Sequence, residues 1–219
     1  MRAQDSRRDR TVNTCKARPT RSLLAMAFTL ALGPATVAHA IPSLPAIVER
    51  HGPAVVRLVD QSGAQLGQGF FVATDGTLLA TLPGAHVGLS LVVETPMAGR
   101  VLGRVVALEG VLVVVHVALL PEHPPPVSLP LARVDQQTPE WVVGVSVDDT
   151  GTRVAALGGP RAGARVPTYD LPCPPGAPIL TTTGEVVGIV LEMHGRSRIV
   201  SASAAQMRAL VERAGPRHP

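Results

Sequence analysis

Three observations predict an all-β fold for this chain. Short apolar segments recur between Gly, Pro and Asp punctuation over most of its length, the pattern of many short strands joined by tight turns. Aromatic residues make up only 2% of the sequence, so Val, Leu and Ile must fill the core, and their β-branched bias points to sheet. A Pro-rich break near the middle, Pro121-Glu122-His123-Pro124-Pro125-Pro126, separates two stretches that each contain a similar hairpin, as two stacked lobes would.

The first forty residues read as an export signal. Arg2, Arg7, Arg8, Arg10, Lys16, Arg18 and Arg21 precede the apolar run Leu23 to Leu32, and Ala38-His39-Ala40 supplies a small-x-small cleavage pattern. An apolar core of ten residues falls well short of the ~20 that a membrane span requires, so the expectation is a cut after Ala40 and no stable membrane anchor. The leader holds seven of the 20 basic residues and two of the 16 acidic ones, so the remainder carries 13 basic and 14 acidic groups. The basic character of the whole chain thus belongs to its leader, and nucleic-acid binding is not expected. An exported product would be periplasmic or extracellular. Cys15 leaves with the leader and Cys173 remains alone, so no intramolecular disulfide can form in that oxidising compartment.

After the leader, strands are predicted at Ala54 to Val59, Gly69 to Ala73, Thr77 to Thr81, Leu89 to Val93, Arg104 to Leu108, Val111 to Leu120, Trp141 to Val147, Thr152 to Leu157, Ile179 to Thr181, Val186 to Leu191 and Arg198 to Val200. Periodicity alone allows a buried helix for Val111 to Leu120, but its five valines favour strand. Asp75-Gly76 and Thr183-Gly184 mark the turns of the two similar hairpins. Ser203 to Ala214 is different: a Ser N-cap, helix formers throughout and Gly215 as a stop predict a C-terminal helix whose face Met207, Leu210, Val211 and Ala214 docks on the second lobe. The expected organisation is a signal at 1–40, a first barrel at about 53–120, a linker at 121–126, a second barrel at about 127–200 and a helix at about 203–214. No further module, such as a peptide-binding PDZ domain, is expected after the helix.

Three motifs in order carry a family resemblance. Gly67-Gln68-Gly69-Phe70-Phe71-Val72, Pro139-Glu140-Trp141-Val142-Val143-Gly144-Val145 and Gly184-Glu185-Val186-Val187-Gly188-Ile189 resemble the Gly-Ser-Gly-Phe, Gly-Glu-Trp-Val and Gly-Glu-Val-Ile-Gly-Ile segments of trypsin-like serine proteases of the bacterial HtrA-like branch. The resemblance runs from about Ala54 to Leu191 and implies two antiparallel Greek-key β-barrels. It also implies where a catalytic triad would stand, and each place is degenerate. Setting Gly176-Ala177-Pro178 against the family's Gly-Gly-Pro puts Pro175 at the serine, which removes both the nucleophile and one backbone donor of the oxyanion hole. Val111 stands at the aspartate, with Glu109 two residues upstream. The histidine falls on Pro83 in an ungapped reading, or on His86 if three residues are inserted.

What remains is an expected pseudoprotease whose inter-barrel cleft binds a peptide or protein partner, since adding an extended peptide to a sheet edge needs no triad. The alternatives are an active endopeptidase with a displaced triad, drawing on His86 with Ser90, Ser146 or Ser201, or a structural part of an envelope assembly. Cys173 is the one thiol near the serine position, flanked by Pro172 and Pro174, with no histidine in local sequence to activate it. His51, His116, His123, His194 and His218 show no metal-ligand spacing, and no phosphate-binding glycine loop is present, so neither metal nor cofactor is expected.

Overall fold

The computed structural model describes residues 43–133, 139–163 and 167–215. The expected signal and its cut after Ala40 lie outside the described residues. The chain begins with helix α1 (Leu44–His51) and a 3-10 turn (Gly52–Ala54). Strands β1 (Val55–Val59), β2 (Gln65–Phe71), β3 (Thr77–Thr81), β4 (Ser90–Thr95), β5 (Gly99–Glu109) and β6 (Leu112–Val117) close a first antiparallel barrel in the order β1-β2-β3-β6-β5-β4. Strands β7 (Val142–Val147), β8 (Arg153–Pro160), β9 (Thr168–Asp170), β10 (Pro178–Leu180), β11 (Val186–His194) and β12 (Arg198–Ser203) close a second in the order β7-β8-β9-β12-β11-β10. Helix α2 (Ala204–Ala214) follows.

The two strand orders are the same when six is added to each number, so the duplication is real at the level of topology. The hairpins compared in the sequence are not its equivalent parts. β2–β3 corresponds to β8–β9 and not to β10–β11, and the likeness of the Asp75-Gly76 and Thr183-Gly184 turns reflects shared turn chemistry alone.

Burial along the strands explains why they read as continuous apolar runs. In the first barrel Val56, Phe71, Leu78, Ala80, Val113 and Val115 point into the interior. Their strand neighbours Val55, Phe70, Leu79 and Val114 point the other way, into a second core shared with Val143, Val145, Leu180 and Ile189 of the second barrel. A third cluster, including Val142, Tyr169, Leu171, Cys173 and Ile199, fills the second barrel. Residues of opposite parity therefore serve different cores, so both faces of β3 and β6 are apolar. The stretch from Val111 is accordingly strand, as expected, although it ends at Val117.

Two elements were not anticipated. Helix α1 is short and buries only Ile47; it is set by Ser43, whose hydroxyl accepts from Ala46 N at 3.4 Å, and by Pro45 in its first turn. Strand β9 is three residues long and too short to show a period. Helix α2 is capped as expected. Ser203 Oγ accepts from Gln206 N at 3.3 Å, and Gln206 Oε1 accepts from Ser203 N at 2.9 Å. Its docking is broader than expected, because with Met207 and Leu210 buried it touches β5 and β6 as well as β11 and β12. Arg213 of this helix pairs with Glu109 at the end of β5.

Polar groups complete the seam between the barrels. Arg153 of β8 donates to the carbonyls of Gly52 at 2.8 Å and Val55 at 3.2 Å, while Arg57 of β1 donates to Asp149 O at 2.8 Å and pairs with Glu94. Among the described residues no helix is long and apolar enough to cross a membrane.

Candidate functional site

The segment from Pro172 to Ala177 joins β9 to β10 and holds the position expected for the nucleophile. Its shape follows from its prolines and its glycine. Ala177 N donates to Pro174 O at 3.2 Å across Pro175 and Gly176, and Gly176 has φ +88°. Proline second and a left-handed glycine third make this a type II turn, with the Pro175 ring on the exposed side. Just before it, Cys173 N donates to Leu171 O at 3.0 Å, closing a three-residue turn on Pro172. The segment thus offers no hydroxyl, no N–H at Pro175, and a Cys173 N–H already committed to a carbonyl.

The first barrel holds this turn in place through Gln68, which is 1% exposed. Its side-chain Nε2 donates to Pro174 O at 3.3 Å, and its Oε1 accepts from Val147 N at 3.1 Å. A polar residue in the family-like Gly-Gln-Gly motif is therefore a bridge between the barrels. The Val190 carbonyl makes a second junction, accepting from Gly176 N at 2.8 Å and from Thr81 Oγ1 at 2.9 Å. Thr81 lies two residues before Pro83, and Leu82 N donates to Val111 O at 2.8 Å. Short paths of hydrogen bonds thus connect the segments that carry Pro83, Val111 and Pro175.

The remaining candidates are spread elsewhere. His86 is exposed, with Nδ1 3.2 Å from the carbonyl oxygen of its neighbour Val87. Glu109 is exposed and paired with Arg213. Ser90 is exposed at the start of β4, Ser146 is buried in β7, and the buried Ser201 donates its hydroxyl to Pro167 O at 3.3 Å. Cys173 is 1% exposed, its sulfur filling the space where a Gly144 Cβ would lie 2.3 Å away. Burial pushes the Cys173 thiol up to about 12, so it stays protonated at neutral pH and is a packing atom. His51 packs against the Gly184 turn, where burial first and Arg50 second hold it below the usual imidazole value. Among the described residues no group of three His, Cys, Asp or Glu side chains could hold a metal ion.

Past Val190, β11 leaves β10. Its backbone is paired with β12 as far as His194, but on the β10 side no strand pairs with Leu191 to His194 among the described residues. Glu192, Met193 and His194 are exposed there. This open sheet edge begins one residue after the carbonyl that anchors the Pro175 turn.

Two closed six-stranded antiparallel barrels with a C-terminal helix define the trypsin-like serine protease fold. Among solved structures the chain is similar to the Rv3671c protease in an inactive form, at 18% identity and a TM-score of 0.60, covering 78% of this chain and 93% of that one. It is equally similar to a serine-to-alanine mutant of Rv3671c from M. tuberculosis H37Rv, also an inactive form, at 18% identity and a TM-score of 0.60 over 79% and 92% of the two chains. In sequence the chain matches no family model and no curated protein. The likeness is one of fold.

Proposed function

We propose that this is an exported, catalytically inactive protein with a trypsin-like fold that binds an extended peptide in the cleft between its barrels. The observation that supports the reading is the type II turn at Pro174 to Ala177, which contains Pro175, the residue that the sequence resemblance sets at the serine, and has an open β11 edge beside it. Serine protease chemistry requires a hydroxyl, a base to take its proton and an acid to orient the base. Pro175, Pro83 and Val111 supply none of these, and His86 has no acid partner among the described residues to orient it. Peptide capture requires only backbone N–H and C=O groups facing an unpaired edge, which Leu191 to His194 retain. Export follows from residues 1–40, whose removal leaves a chain beginning at Ile41.

Hydrogen exchange of the exported protein, with and without a peptide selected from a random library, tests the binding half. The expected result is added amide protection at Leu191 to His194. Failure of every library peptide to bind, or protection confined to other elements, contradicts it.

A further inference from the structure

The outer face of the second barrel beside this edge carries ordered charge. Direct cross-strand partners share a face, and the register aligns His194 of β11 with Arg198 of β12 and Asp170 of β9 in one row. The next row on the same face is Glu192, Val200 and Thr168, while Ile199 and Tyr169 turn into the barrel core. Arg161, Thr168, His194, Arg198 and Val200 line an open depression of about 400 Å³ on this face.

Its two carboxylates are engaged locally. Asp170 lies 3.6 Å from the Arg161 guanidinium, and Glu192 lies 3.4 Å from His194 Nε2. Arg196 and Arg198 are exposed and have no ion-pair partner among the described residues. On this face Arg161 and His194 engage the two carboxylates, and Arg198 is left as the positive charge without an ion-pair partner among the described residues, beside His194 at the far end of the open edge.

Resting on the peptide-binding reading above, we propose that the peptide is acidic at one defined position, the residue that comes to lie opposite His194. An added strand runs ~4.8 Å from β11, so that residue is about 10 Å from Arg198 across His194. A glutamate and an arginine side chain span this distance from their two ends. The residue two positions along lies on the same face opposite Glu192, where a second carboxylate is disfavoured by like charge. The preferred ligand is therefore a strand with a single acidic residue on its outward face, and not a uniformly acidic segment.

Calorimetry on the exported protein tests this with short peptides alternating valine and serine, in which a central serine is replaced by Glu, Gln or Lys. The Glu peptide is expected to bind about fivefold more tightly than the Lys peptide, the size of a partly exposed ion pair, and added salt should narrow the gap. Arg198→Gln should remove the preference, whereas Arg50→Gln, on the outside of α1, should keep it. Equal affinity for the Glu and Lys peptides overturns the acidic preference while leaving peptide binding intact. A preference that persists in Arg198→Gln overturns the assigned residue, and no binding by any of the peptides removes the underlying reading as well.

Discussion

Gly176→Ala is expected to destabilise the protein by at least about 3 kcal/mol, enough to leave much of it unfolded or insoluble. Two costs combine. At φ +88° an L-residue is strained, and the added Cβ would lie 2.0 Å from the Gln68 carbonyl oxygen, a backbone atom of the opposite barrel. Relief requires the Pro175 turn to move away from β2, which breaks the Gln68 bond to Pro174 O and disturbs the Val190 junction. Gly110→Ala is the matched comparison, since its φ is +63° but nothing lies within 4 Å of its Cβ position. It should cost only about 1 kcal/mol. Urea unfolding of both variants measures the difference, and equal costs would show that the turn does not press on the first barrel.

The second large effect is expected for Phe70→Ala. Phe70 is fully buried in the core between the barrels, in a cluster that also takes Leu79, Val143, Val145 and Met207. Truncating such a side chain costs about 3–5 kcal/mol, through lost transfer energy and the cavity left behind. Because this cluster joins the barrels and both helices, the loss should also reduce unfolding cooperativity, so that fluorescence and far-UV circular dichroism no longer give coincident midpoints. A shift under about 1 kcal/mol would mean that the site collapses around the gap and that the seam is not a packed core.

The fold was legible where local rules and burial agree. Thr77–Thr81 was read residue for residue, because turn chemistry at Asp75-Gly76 fixes its start and both of its faces are apolar. Helix α2 was legible from Ser203, Gln206 and Gly215. Helix α1 was missed although Ser43, Pro45 and the apolar stripe Leu44, Ile47 and Val48 signal it, because at eight residues it gives barely two turns of the period. Which apolar residues face a barrel interior and which face the seam was also hidden, because strand alternation vanishes when both sides are buried. At the candidate site the residue types in the Pro172 to Pro178 loop could be read directly. The role of Gln68 could not, since a lone Gln in a strand looks solvent-facing and only its partners 79 and 106 residues away reveal the bridge.

The proposal that catalysis has been lost is tested most directly by a fluorophosphonate probe and a casein assay on the exported protein beside its Pro175→Ser variant. The variant regains a hydroxyl and a backbone N–H, but Val111 supplies no carboxylate, Pro83 no base, and the Cys173 N–H remains bonded to Leu171 O. Triad members act as a unit, so restoring one of them recovers almost nothing. No labelled serine is expected in the parent, and no inhibitor-sensitive turnover in either protein. Covalent labelling of any parent serine, or serine-inhibitor-sensitive cleavage by the variant, would contradict the proposed loss of catalysis.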